Sequence, residues 1–176
     1  MSVAAAYRST PVRVLTNIVR KATDLGFGVV QDDDLPWEAK PTTKRISLLW
    51  ERVRILDSIP DKEGDDYRQG IESFYTDLRE TWERLVEEVL LYRVVERFGS
   101  GVRTQSLKGV VVNDDDHKTI FWAMKRASER SGHDMAAAKN APLPKIEEIK
   151  DELSMLDTYR NQVGKRAKVV ENRQRQ

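Results

Sequence analysis

Apolar side chains recur at steps of three and four through residues 67–98, and this spacing predicts one long helix. The stripe consists of Ile71, Phe74, Leu78, Trp82, Leu85, Val89 and Tyr92. From Leu85 onward a second apolar stripe joins it, so the later turns are apolar on several faces. A narrow stripe needs one packing partner, whereas several apolar faces need several partners. We therefore expect the helix to begin as an outlying arm, with few neighbours around Phe74, and to end inside a packed domain around Leu90.

The same spacing precedes this helix over residues 43–59, where Thr42 or Thr43 can cap the start and Pro60 ends the pattern. The apolar face there consists of Ile46, Leu49, Trp50, Val53 and Leu56. Residues 60–66 are polar and rich in turn-forming side chains. Because two helices joined by so short a connection pack against each other, an antiparallel helical hairpin is predicted.

The N-terminal part of the chain has the period of β-strands. β-branched side chains alternate with polar ones over residues 11–20, and residues 27–31 form a second short strand candidate. A two-stranded hairpin is marginal by itself, so this one needs further strands to pair with. The three aspartates at 32–34 fit an acidic turn before Pro36, since nothing nearby supplies the remaining ligands of a metal site.

The C-terminal part is predicted to form two more helices. The first follows caps at residues 113–116 and directs Ile120, Phe121, Met124 and Ala127 inward. The second begins after Pro144 and carries a seam typical of coiled coils, formed by Ile146, Ile149, Leu153, Leu156, Tyr159 or Arg160, and Val163. Gly164 is expected to end or loosen this helix.

The predicted fold is therefore mainly α, with an N-terminal β-hairpin, an antiparallel helical hairpin with one long helix, and a small helical C-terminal bundle. Its divisions are a hairpin and linker over residues 1–40, a helical domain over 41–164 and a basic, flexible tail over 165–176.

Composition excludes several classes of protein. The chain has 34% charged residues, a net charge of +1 and no cysteine, so disulfides and thiolate chemistry are ruled out and no global field favours nucleic acid. No apolar run approaches the roughly 20 residues that span a bilayer, and a cytoplasmic location is expected. The sequence lacks a GxxxxGKS/T phosphate loop and any zinc-binding set around its two histidines, so no cofactor or metal site is predicted.

Two stretches, 80–98 (ETWERLVEEVLLYRVVERF) and 104–109 (TQSLKG), resemble the C-terminal part of bacterial SMC-like ATPases of the AAA family. This group is related in plan to break-repair ATPases and to the ATPases attached to anticodon nucleases. Three shorter stretches resemble it too, in the same order: 35–39 (LPWEA), 44–46 (KRI) and 132–136 (GHDMA). The family often has a cysteine where Ala127 falls, and an Asn-Gly pair where Tyr92 and Arg93 stand.

The resemblance implies an ATPase that binds ATP and magnesium through an N-terminal phosphate loop and that contains a coiled coil and a second lobe ending in a tail like this one. The predicted β-hairpin would then be the last piece of the ATPase sheet. Because this chain lacks every nucleotide-binding motif, we expect a fragment or a separately encoded tail, non-catalytic by itself and without a cofactor.

The first functional hypothesis is a C-terminal module that packs on the ATPase core or a partner chain and presents a surface to a partner, in phage defence or DNA repair. It could form homo-oligomers, and nucleic acid would be reached through the parent complex; no membrane partner is expected. The candidate interaction residues are the polar ones that flank the most apolar region, namely Glu96, Arg97, Thr104, Lys108, His133 and Asp134.

The alternative hypothesis is a metal-independent ribonuclease of the HEPN type, which uses an arginine and a histidine near a helix end. Arg126 and His133 have such a separation. The arginine could hold a phosphate while the histidine transfers a proton. RNA cleavage by a homodimer would favour this hypothesis, whereas activity that depends on a separate ATPase chain would favour the first.

Overall fold

The computed structural model describes residues 18–22, 26–31, 35–97, 99, 101–131 and 142–173. The chain divides into two compact units, residues 1–40 and residues 41–176. The prediction of a mainly helical chain is confirmed. None of the helices in the described part of the chain is long and apolar enough to cross a membrane.

The first unit contains strands β1 (Ile18–Ala22) and β2 (Gly26–Gln31), which pair antiparallel with Ile18 opposite Gln31 and Ala22 opposite Gly26. The register shifts between Arg20 and Ala22. β1 lies later in the chain than the predicted first strand, most of which falls outside the described residues. A 3-10 turn follows at Trp37–Ala39.

The second unit begins with helices α1 (Thr42–Ser58) and α2 (Asp65–Leu85). They pack antiparallel as predicted: the Arg45 guanidinium donates to the Glu80 carbonyl at 2.9 Å, and Arg52 lies 2.5 Å from the Asp77 carboxylate. The predicted apolar stripes of both helices are largely buried, because period 3.6 places those positions on one side of each helix.

The expected outlying arm on α2 is wrong. Phe74 is fully buried, like Leu90 at the other end of the helix. The tyrosines of the first turns explain the difference, because they bind other elements. The Tyr67 hydroxyl donates to the Pro144 carbonyl at 2.9 Å, and Tyr75 accepts from Arg130 at 2.8 Å.

Helices α3 (Asp114–Arg130) and α4 (Ile146–Arg173) complete an up-and-down bundle. They run antiparallel, since Arg130 lies 3.4 Å from Glu148 and Arg166 lies 2.6 Å from Asp116. Asn113 and Asp116 form a reciprocal capping box at the start of α3. The core is built around the large, fully buried side chains Trp82, Tyr67, Tyr75, Phe74, Leu49 and Ile71.

Helix α3 corrects one prediction about the core. Ala127 is buried as expected, but the Phe121 side chain is 52% exposed. Ala123 and Ala127 form the buried face instead. Small side chains on that face let α3 approach α2 closely, and Phe121 projects from the opposite side of the helix.

Helix α4 also differs from the prediction that Gly164 ends or loosens it. It continues to Arg173. The predicted seam is buried, with Tyr159 rather than Arg160 at the ambiguous position, and Ala167 extends it. The extra turns are held because Arg166 binds Asp116 and Glu171 binds the segment after α2, described next.

Candidate functional site at the end of helix α2

The backbone at the end of α2 departs from regular helix geometry. The helix changes to π geometry over Val86–Leu90. Tyr92 and Arg93 then take φ angles of 49° and 58°, in the left-handed region. This turn replaces the predicted continuation of the helix to residue 98. Left-handed non-glycine residues cost of order 1–3 kcal/mol each and persist only where surrounding contacts fix them. π-helical turns and left-handed residues occur often at functional sites, so this turn is the candidate functional site.

The Tyr92 side chain is fixed by two later segments. A Cβ atom added to Gly109 would lie 2.5–2.7 Å from three atoms of the Tyr92 ring, so the ring packs directly on the glycine backbone. Gly109 ends the 3-10 segment Thr104–Gly109. The Tyr92 hydroxyl contacts the Glu171 carboxylate of α4 at 3.2 Å, and Lys108 lies 3.6 Å from the same carboxylate.

The Arg93 side chain enters a chain of alternating charges that runs across the end of α2. In order of contact, its members are Arg79, Glu83, Arg97, Glu87, Arg84, Glu88, Arg93, Glu96 and Arg103. Three of its contacts measure 2.7 Å: Arg97 to Glu83, Arg93 to Glu88, and Arg103 to Glu96. Hydrogen bonding to Glu83 raises the pKa of the Arg97 guanidinium.

Glu88 connects the chain of alternating charges to the start of α1. Pro41 precedes that helix and offers no capping side chain. The Glu88 carboxylate supplies the cap instead and accepts from the Thr42 amide at 2.8 Å and from its hydroxyl at 2.9 Å. Burial alone would raise the pKa of Glu88, but these bonds and the one from Arg93 outweigh burial and hold the pKa below its usual value. The predicted threonine cap is thus wrong, because the acceptor is the Glu88 side chain in the π-helical turn after α2.

The structure brings four of the predicted interaction residues to this site. Glu96 and Arg97 lie in the charge chain, and Thr104 and Lys108 lie on the 3-10 segment that packs on Tyr92. His133 and Asp134 lie outside the described residues.

Sequence reasoning missed four residues at the centre of the site: Tyr92, Arg93, Gly109 and Glu88. Tyr92 and Arg93 could have been found because they stand where the resembling family often has an Asn-Gly pair. Nothing in the local sequence of Glu88 points to its contact with Thr42, which is 46 residues away.

The arginine of the ribonuclease hypothesis faces α4. The Arg126 guanidinium lies 3.8 Å from the Glu152 carboxylate and 3.7 Å from the Met155 sulfur. Burial raises the pKa of Glu152, and the Arg130 and Arg126 charges counteract part of that rise. Arg126 thus contacts α4 from α3.

Four exposed apolar side chains follow the strained turn in sequence. The Arg103 amide donates to the Val94 carbonyl at 2.8 Å, which closes a loop over residues 94–103. Val95 follows Val94 and Val102 precedes Arg103, and their side chains are 50% and 63% exposed. Leu107 and Val112 follow with 57% and 54% exposure. Exposed apolar side chains that lie this close together in sequence are candidates for an interaction site.

Comparison with known protein families, curated proteins and solved structures finds no match to this chain. Among the described residues, no group of three or more histidine, aspartate or glutamate side chains is arranged to hold a metal ion.

Proposed function

We propose that this chain is a non-catalytic C-terminal module of an SMC-like AAA-family ATPase, which packs on the ATPase lobe and presents a surface to a partner. The assembly would act in phage defence or DNA repair. Strands β1 and β2 would be the edge of the ATPase sheet, because a two-stranded hairpin needs further strands for stability.

The observation that carries the proposal is the backbone at Tyr92 and Arg93. The resembling family often has Asn-Gly at these two positions. Both positions take left-handed φ angles here. Asparagine and glycine adopt that conformation at the lowest cost, which is why they are favoured there. The family's residue preference thus agrees with a local geometry that periodicity did not predict, and this agreement supports the resemblance.

The contacts around the turn support a binding role for the site. The side chains in the chain of alternating charges bind one another and the start of α1. What the site offers to another molecule is the apolar group Val95, Val102, Leu107 and Val112, with Arg103 and Lys108 beside it. An apolar centre with a charged rim is the usual composition of a protein–protein interface.

The test is co-purification with the product of the upstream open reading frame, in frame or adjacent, that carries a GxxxxGKS/T motif. Val102→Glu should abolish co-purification, because it places a charge in the apolar surface. Ile55→Glu is the matched control: Ile55 lies on α1 with 64% exposure, against 63% for Val102, and its substitution should leave binding intact.

Two results would contradict the proposal. One is equal binding by the two variants. The other is catalysis by the chain alone, either ATP hydrolysis or, in support of the ribonuclease alternative, RNA cleavage that Arg126→Ala abolishes.

A further inference from the structure

Helix α3 has an aromatic face that no described element covers. Phe121 and Trp122, at the middle of this 17-residue helix, are 52% and 51% exposed. His117 stacks on Phe121 with ring centroids 6.2 Å apart, and Phe121 meets Trp122 edge to face at 5.3 Å. Tryptophan and other aromatic side chains are strongly enriched in interface centres, so a half-exposed pair of this kind indicates a contact surface.

This face is separate from the one that α3 buries within the bundle. Asp116, Ala123 and Ala127 form the buried face. At 100° per residue, positions 121, 122 and 125 lie on the opposite side of the helix. The aromatic face is therefore available to a second molecule while the bundle stays intact.

The charges along this face favour a protein over a nucleic acid. Lys118 lies 3.8 Å from Asp115, and Lys125 lies 3.9 Å from Glu129, so each lysine has a neighbouring carboxylate. Single-strand binding sites combine stacking rings with an uncompensated positive groove. The rings are present here, whereas the local charge is balanced.

We propose that the aromatic face pairs with the same face of a second copy of this chain. The order of side chains decides the geometry: Asp114 at the start, Lys118, the two rings, then Lys125. Parallel pairing places like charges together. Antiparallel pairing without a shift places Lys118 opposite Lys125 of the second copy, which is again repulsive.

A shift of about one helical turn removes the repulsion. In that antiparallel register Asp114 lies opposite Lys125 of the second copy, and Lys118 lies over the second copy's Phe121–Trp122 pair, a cation–π contact. A twofold axis makes each contact twice, so the arrangement closes as a dimer. Since each copy contributes only one helix, the interface falls below the size typical of permanent dimers, and we expect weak, concentration-dependent association.

A charge-swap experiment on the full chain tests this register by sedimentation velocity across a concentration series. Lys125→Glu and Asp114→Lys should each weaken the dimer by about tenfold or more, because each creates like-charge pairs. An equimolar mixture of the two variants should restore a dimer, since every charge pair becomes opposite in the heterodimer. Ile55→Glu should leave association unchanged. Both substituted positions are exposed, and far-UV circular dichroism should show unchanged helix content.

A cross-link gives a second readout that does not depend on charge. The chain has no cysteine, so Asp114→Cys with Lys125→Cys should form an intermolecular disulfide under mild oxidation. Asp114→Cys with Ile55→Cys should form none. The proposal is overturned if the wild-type chain stays monomeric at all concentrations. It is also overturned if the mixture of Lys125→Glu and Asp114→Lys is no more dimeric than either variant alone. The proposal is also overturned if the monomer binds a labelled single-stranded oligonucleotide and Trp122→Ala abolishes that binding. The aromatic face would then bind nucleic acid.

Discussion

The left-handed backbone at Arg93 leads to a prediction about the relative effects of alanine and glycine. Both Arg93→Ala and Arg93→Gly remove the 2.7 Å ion pair with Glu88, so that loss cancels between them. Alanine keeps the unfavourable contact between Cβ and backbone at a φ of 58°, whereas glycine has no Cβ. The relief of about 1–2 kcal/mol exceeds the extra chain entropy of glycine. We therefore expect Arg93→Gly to be more stable than Arg93→Ala by about 1 kcal/mol.

Urea titration of the two variants measures this difference, with the slopes of the transitions compared to check that two-state unfolding holds. Arg79 provides the matched control, since it also pairs with a glutamate, Glu83 at 3.0 Å, but lies in the regular part of α2. There alanine should be more stable than glycine by about 0.5–1 kcal/mol. If alanine equals or exceeds glycine at position 93, the backbone there is not left-handed in solution, and the argument from family preference fails with it.

Two further changes test the contacts that hold the turn at Tyr92 and Arg93, and a third tests the buried core of α2. Gly109→Ala should cost about 1–3 kcal/mol by displacing the Tyr92 ring, and a double-mutant cycle should show that the loss is much smaller in a Tyr92→Ala background. Glu88→Gln should cost about 1–3 kcal/mol at pH 7. Because the folded-state pKa of Glu88 is lowered, its contribution is present above its usual value of 4.5 and is lost as the pH falls through the lowered pKa. A deficit that does not shrink as the pH is lowered would contradict this. Phe74→Ala should destabilise the chain by about 3–5 kcal/mol, as much as or more than Leu90→Ala at about 2–5 kcal/mol, in denaturant titrations.

The sequence was informative wherever the apolar side chains of a helix recur as one regular stripe. The spacing of Ile71, Leu78 and Trp82 predicted a stripe that is buried, and the seam from Ile146 to Val163 did the same for α4. Such stripes follow from the 3.6-residue period alone and need no knowledge of the partner.

The sequence was misleading where apolar residues occur on two faces. Helix α3 carries Phe121 on one side and Ala123 with Ala127 on the other, and side-chain size alone favours burying Phe121. The bundle buries the alanines because close approach to α2 needs small residues. Periodicity cannot rank two competing faces, since the choice depends on the shape of the neighbouring helix.

The end of α2 could not be predicted from local sequence because its backbone is determined by distant residues. Val94 continues the apolar spacing and is buried, so the pattern alone extends the helix beyond Leu90. What ends it is the left-handed pair at 92 and 93, held by Gly109 and by Glu171. These partners lie 17 and 79 positions after Tyr92.

Under the proposed function, a strained turn held by several elements would also prepare the neighbouring loop for docking. Tyr92 is fixed by the 3-10 segment and α4, and Arg93 by the carboxylate that caps α1. The bond from the Arg103 amide to the Val94 carbonyl then sets the base of the loop directly after the turn. These contacts fix the backbone at the two ends of the loop, next to Val95 and Val102. A surface ordered in advance loses less conformational entropy on binding, so even a small apolar group can contribute useful affinity.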